Sequence, residues 1–253
     1  MSELPTLHLD GHRATIRLNR PAVHNRIEPP DIVELLRLLD QIDANQAVRV
    51  VVFAATGKSF SSGFHIGEIA AEGRDSSTAG FGDLTHRVEQ LRPPSIAALN
   101  GGVYGGSTDL ALACDFRIGV TTMAMFMPAA RLGLHYQAGG MQRYVSRMGL
   151  DTAKRLFLTG DRLDGPQLLR AGFLTDLVAP DALDFYVDAL ATRLAANAPL
   201  AVQGMKRALN DIARGDADLA AIDARAAANG RSADLKEGQQ AWMQKRTPNF
   251  TGR

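Results

Sequence analysis

The chain has 253 residues, with 28 Lys plus Arg against 27 Asp plus Glu and a formal charge of +1, which excludes a broad basic surface for nucleic acid. At 45% apolar and 22% charged residues it lies outside the composition of disordered chains and can fill a large core. The single cysteine, Cys114, excludes an intrachain disulfide framework and any multi-cysteine metal site, and points to a reducing, cytoplasmic setting.

In chain order, Leu7 to Leu9 and Ala14 to Leu18 flank the turn dipeptide Asp10-Gly11 and read as a hairpin. The first residues, MSELPTLHLDGHR, lack a basic segment followed by an apolar one, so no secretory signal is expected. Asp31, after Pro29-Pro30, is the expected N-cap of a helix whose apolar residues Ile32, Leu35, Leu36, Leu39 and Ile42 recur at helical spacing. Val50 to Phe53 is a β-branched run typical of a strand buried on both faces. The longest fully apolar run, Val50 to Ala55, is far short of the roughly 18 residues of a membrane span.

The cycle then repeats. A Gly/Ser-rich stretch is followed by a helix near Leu84 to Leu91, a stop at Pro93-Pro94 and a strand from Ser95 to Leu99. A second Gly-rich loop, Gly101 to Gly106, leads to a helix from Ser107 to Ala113 and a strand from Asp115 to Gly119. Strands alternating with helices imply a layered α/β core. From Asp181 onward helical periodicity dominates, and Asn197-Ala198-Pro199 marks a boundary, because the residue before proline leaves the helical region. The expected division is a core over 1–196 and a helical segment over 197–253.

The two Gly-rich loops, Gly57 to Ile66 and Asn100 to Asp109, each follow a short buried strand, and the second opens a helix, where unpaired N–H groups favour negative charge. A phosphate loop would need Lys after its last glycine, but Gly106 is followed by Ser107. A nucleophile elbow would need glycine two residues after Ser107, where Asp109 stands. His8 and His12 straddle the Asp10-Gly11 turn and cannot share a helix face for zinc.

Asn19-Arg20-Pro21 with Asn25, FSSGFHIGEI, NGGVYGGSTDLALACDFRI, PAARLGL, LTGDRL and KEGQQAWMQKRTPNF occur in collinear order, and together they resemble the crotonase (enoyl-CoA hydratase/isomerase) superfamily. The resemblance implies a spiral α/β core of repeated ββα units with a C-terminal helical trimerisation segment, giving a homotrimer or a hexamer. It also implies an acyl-CoA thioester as substrate with no separate cofactor, no metal, no nucleic acid and no membrane. The family's two oxyanion-hole amides match Phe64 and Gly106. There, preset donors stabilise a thioester enolate more than its ground state. Phe64 replaces the family's usual alanine and resembles the aromatic-acyl-CoA dehalogenase branch, whose nucleophilic aspartate would fall at Gln137, which argues against that chemistry.

Of the two glutamates of the family's hydratases, the first matches Asp109 and the second, after Pro128, matches Ala129. One acid beside an enolate-stabilising hole suits proton shuttling, as in double-bond isomerisation, better than two-acid water addition. Auxiliary candidates are His65, His86, His135 and Tyr136. For CoA, the resemblance places Phe64, His65, Ile66 and Gly67 against the adenine, Lys245 at the nucleotide and Trp242 along the acyl or pantetheine channel. The bland alternative for Trp242 is a core anchor of the last helix. Lys58 and Arg26 are further phosphate candidates. Two other readings are a catalytically silent acyl-CoA-binding protein and a histidine-assisted hydrolase or lyase. Met123, Met125, Phe126 and Met127 line an adaptable pocket or fill the core.

Overall fold

In the computed structural model, which describes residues 4–65 and 79–253, strands β1 (Thr6–Asp10) and β2 (Arg13–Leu18) form the expected hairpin. Its turn is Gly11-His12 rather than Asp10-Gly11, because Asp10 pairs with Arg13 and Gly11 takes φ +53°. Helix α1 (Pro29–Ala44) starts earlier than its sequence signal suggests. Proline is tolerated in a first turn, so Glu28 is the cap and Asp31 sits at the third helical position, accepting the Glu28 N–H at 2.8 Å.

The chain continues through β3 (Val50–Ala55), β4 (Ser59–Ser61), α2 (Phe81–Glu89), β5 (Ser95–Leu99), β6 (Gly102–Tyr104) and α3 (Gly106–Ala113). Next come β7 (Phe116–Val120), β8 (Ala124–Phe126), α4 (Ala138–Met148), α5 (Leu150–Thr159), β9 (Leu163–Asp164), α6 (Gly165–Arg170) and β10 (Asp176–Val178). Strand β7 starts one residue later than its sequence signal.

Two sheets result, one of order β1-β2-β3-β5-β7-β10 and a smaller one of order β4-β6-β8-β9. The units β3-β4-α2, β5-β6-α3 and β7-β8-α4 each place one strand in the large sheet, the next in the small sheet and a helix after it. That is the repeated ββα spiral, with parallel pairing between successive units in both sheets. Strands β3 and β5 are apolar almost throughout because both of their faces are covered. Helix α3 is the innermost helix: every residue from Ser107 to Ala113 is buried. Cys114 closes it, and burial above all pushes its thiol up to about 12, far from a reactive thiolate.

Four helices complete the chain: α7 (Leu183–Ala196), α8 (Pro199–Arg214), α9 (Leu219–Asn229) and α10 (Ala233–Gln244). Helix α7 packs on β3, β5 and β7, and the chain breaks at Asn197, with Pro199 opening α8. Helix α8 is tied to the core by polar contacts: Lys206 reaches the Pro93 carbonyl at 2.9 Å and Asp115 at 2.8 Å, and Asn210 donates to the Glu89 carbonyl at 3.1 Å. Its apolar side chains Met205, Leu209 and Ile212 are exposed. The core-anchor reading of Trp242 is corrected: the indole is 87% exposed, and the residues that α10 buries are Asp234 and Ala241. Met123, Met125 and Met127 are buried. No described helix is long and apolar enough to cross a membrane.

Candidate active site

Three parallel strands of the small sheet, β4, β6 and β8, end side by side, and their C-terminal ends deliver Ser62 to Phe64, Gly105-Gly106 and Met127 to Ala129 to one cavity. Sites at the carboxyl ends of parallel strands are a general property of α/β folds. The first loop is braced by Asn25, in the left-handed region at φ +52°. Its side chain accepts the Arg20 N–H at 2.7 Å and donates to the carbonyls of Thr56 and Ser59 at 2.8 and 2.9 Å. The Asn25 carbonyl in turn accepts the Ser61 hydroxyl at 2.8 Å.

Ser107 binds the two loops together. Its hydroxyl lies 2.9 Å from the Ser61 carbonyl oxygen and 2.7 Å from that of Tyr104, and it accepts the Tyr104 N–H at 3.1 Å. This fully buried serine is a staple, consistent with the missing elbow motif. The approach is close enough to require glycine at position 63, where φ is +92°. A Cβ there would stand 2.5 Å from the Tyr104 carbonyl oxygen and 3.1 Å from the Gly106 nitrogen. The backbone leading into Phe64 therefore runs directly against the start of α3. Gly106 is the first residue of that helix, a position whose N–H has no intrahelical acceptor. Residue 105, at φ +53°, makes the turn that aims it.

The cavity has a volume of about 570 Å³. Phe64, Phe81, Tyr104, Phe126, Met127 and Leu134 supply much of its apolar wall, and Ala129, where a second acid would stand, is part of it. Tyr136, Gln137, His135, Ser62 and Asp83 are the polar side chains around it. Asp83 is exposed and accepts the Gly80 N–H at 2.7 Å.

Asp109 lies on the first turn of α3, as its spacing from Gly106 implies, yet it is 0% exposed and is not part of the cavity wall. The cause is the burial of α3 on all sides, which demands a partner for any charge it carries. Arg143 of α4 supplies it in a two-pronged pair, with Nε to Oδ1 at 2.8 Å and Nη2 to Oδ2 at 2.9 Å. The same guanidinium donates to the Thr85 hydroxyl at 2.7 Å and to Glu89 at 3.1 Å. Glu89 is also paired with Arg147 and Arg214, both at 3.2 Å. Burial alone would weaken the Arg143 cation, but Asp109 and Glu89 more than offset this and hold its pKa above the ordinary value.

Tyr136 adjoins this pair from the cavity side. A Cβ on Gly140 would collide with its ring and lie 3.0 Å from the Asp109 Oδ2. The Tyr136 hydroxyl oxygen is buried without a partner at hydrogen-bond geometry. Burial first, and then the negative charge of Asp109, raise the phenol well above its usual pKa, so it stays protonated.

The other candidates scatter. His135 lines the cavity; His65 and His86 do not, and His86 is exposed on α2. Ile66 and Gly67 lie outside the described residues. Lys245 caps α10 at φ +53° and, like Trp242, is off the cavity of its own chain. Arg26 is paired with Glu28, whereas Lys58 is exposed. Among the described residues no group of three His, Cys, Asp or Glu side chains could hold a metal ion.

Sequence reasoning missed Arg143, Glu89 and Thr85. The available signal for Arg143 was helical spacing, since it shares a buried stripe with Gly140, Tyr144 and Met148. Phe81 carries no motif, and its meeting with Tyr104 and Phe126 around one cavity is set only by the folded chain.

Residues 12–253 match the family profile described as enoyl-CoA hydratase/isomerase. The short-chain-enoyl-CoA hydratase of Clostridium acetobutylicum is 31% identical over 247 residues, covering 95% of this chain and 94% of that protein. The 2,3-dehydroadipyl-CoA hydratase of Escherichia coli is 30% identical, with 94% of each covered. Among solved structures, an enoyl-CoA hydratase from Bacillus anthracis superposes with a TM-score of 0.89 at 31% identity, covering 99% of this chain and 100% of that one.

Proposed function

The chain belongs to the enoyl-CoA hydratase/isomerase family, and from that premise we propose that it isomerises the double bond of an acyl-CoA thioester through an enolate held by the amides of Phe64 and Gly106. The observation that carries this reading is the forced approach of residue 63 to the Tyr104 carbonyl and the Gly106 amide, which supports a preset two-donor hole. A base removes a proton from the substrate's α carbon, and the electron pair moves to the thioester oxygen. The proton then returns at the γ carbon, leaving the composition unchanged.

Asp109 is the single acid of this scheme, with Tyr136 between it and the cavity. Water addition by two carboxylates is disfavoured because Ala129 has no acid to offer. In this reading Lys245 meets the CoA nucleotide, from its own subunit or across a subunit boundary. Its anionic groups would be met by local cations and amides rather than by a basic surface. A cytosolic location is part of the same reading and rests on the single buried cysteine.

The Asp109 proposal is tested by following α- or γ-proton exchange of a panel of acyl-CoAs in heavy water. Exchange is expected in the native protein and is expected to fall by about 10²-fold or more in Asp109→Asn, in line with loss of a general acid–base group. Retained folding of the variant is checked by its melting transition. The burial of Asp109 in an ion pair favours a second reading, a catalytically silent acyl-CoA-binding protein. Binding without exchange for every thioester would establish that reading and sink the first.

We also propose a homotrimer or a hexamer. The support is apolar side chain left uncovered along the C-terminal helices, with Leu209 at 65%, Leu219 at 67% and Met243 at 76% exposure alongside Trp242. Sedimentation equilibrium is expected to give three or six times the 27.2 kDa chain mass. A monomer at micromolar concentration would rule the assembly out.

A further inference from the structure

Of the ten phenylalanines, four tyrosines and one tryptophan in the chain, five line the cavity that contains Gly106: Phe64, Phe81, Tyr104, Phe126 and Tyr136. They are organised rather than scattered. Phe64 and Phe81 form one tilted pair with ring centroids 5.8 Å apart, and Tyr104 and Phe126 form another at 5.0 Å. The Phe81 ring packs against Gly106, where an added Cβ would meet it at 2.9 Å. Tyr104 and Phe126 are register partners on β6 and β8, so their pair is fixed by the sheet itself. Rings held at these separations present faces and edges to a third flat ring, an attraction that an alkyl chain cannot match.

Charge narrows the choice further. No lysine or arginine is part of the described cavity wall, and its one carboxylate, Asp83, is exposed and already accepts a backbone N–H. Against this described wall an acyl group ending in a carboxylate would meet no lysine or arginine, and burying it unpaired is strongly unfavourable. The volume of about 570 Å³ leaves room for more than a four-carbon acyl chain beside the thioester.

We infer that the acyl group of the substrate is a neutral aryl-bearing one, its ring seated between the Phe64–Phe81 and Tyr104–Phe126 pairs. This rests on the acyl-CoA reading above and specifies its substrate class. The test is calorimetric binding of 3-phenylpropanoyl-CoA, nonanoyl-CoA of equal carbon number, adipoyl-CoA and free CoA to the full chain. The expected result is at least tenfold tighter binding of the phenyl thioester than of nonanoyl-CoA, with adipoyl-CoA weaker than both. Phe81→Leu and Phe126→Leu are each expected to shrink the phenyl-to-nonanoyl affinity ratio at least threefold. Equal or tighter binding of nonanoyl-CoA, or a ratio unmoved by both variants, overturns the aryl assignment and leaves the acyl-CoA reading standing. Failure of every thioester to bind more tightly than free CoA overturns both.

Discussion

Gly63→Ala is expected to slow acyl-CoA proton exchange by about 10²-fold or more, the scale on which loss of one oxyanion donor acts. Residue 63 is at φ +92°, and an added Cβ would face the Tyr104 carbonyl oxygen at 2.5 Å, a backbone atom held by Ser107 and by the β6–β8 pairing. Neither side can yield cheaply, so the loop carrying Phe64 must move away from Gly106. The hole would then be too wide for one oxygen to meet both amides. Gly149→Ala is the control: it has a similar φ of +78° but nothing within 4 Å of its Cβ. That variant is expected to lose about 1–3 kcal/mol of stability, because φ +78° with ψ 161° is a backbone region essentially restricted to glycine, and to keep its exchange rate. A Gly63→Ala protein exchanging at the native rate would show that the approach of the two loops is not what builds the site.

Arg143→Leu is expected to destabilise the fold by about 3–5 kcal/mol, because removing one member of a buried ionic cluster strands the others. Asp109, at 0% exposure, would lose its two-pronged partner, and Thr85 would lose its donor. Glu89 keeps Arg147 and Arg214, so the damage centres on Asp109. For a chain of this size the melting temperature is expected to drop by roughly 10 °C. Replacing Asp109 as well, in an Asp109→Leu, Arg143→Leu double variant, is expected to recover part of the loss, since no buried charge is then left alone. The coupling in that cycle is expected to exceed about 2 kcal/mol, toward the upper end for directly paired groups. Additive effects of the two substitutions would mean that the pair does not hold Asp109 in place.

Both results concern features with unequal visibility in the sequence. The glycines around Phe64 and Gly106, and the short buried strands before them, are local signals, whereas the ββα spiral was implied by the family resemblance. The position of Asp109 on a first helical turn was equally legible. Its environment was not. The signature i, i+3 spacing tells which residues share a helix face, but not that α3 would be covered on every side. Arg143 stands 34 residues away and Glu89 stands 20 residues away on the other side, so no local pattern joins them. Trp242 shows the same limit in reverse: helical spacing made it a candidate core residue, while the face of α10 that the chain covers is the one carrying Ala241.

By itself, then, the amino-acid order determined the alternation of strands and helices, the break at Asn197 and the identity of the loops that meet at the cavity, because turn chemistry and periodicity act over a few residues. Only the tertiary structure decided which groups face that cavity. It turned Asp109 inward to Arg143, and it gathered five aromatic rings from separate segments around one space. Burial and ion pairing depend on what packs from far along the chain, and no short stretch of sequence contains that information.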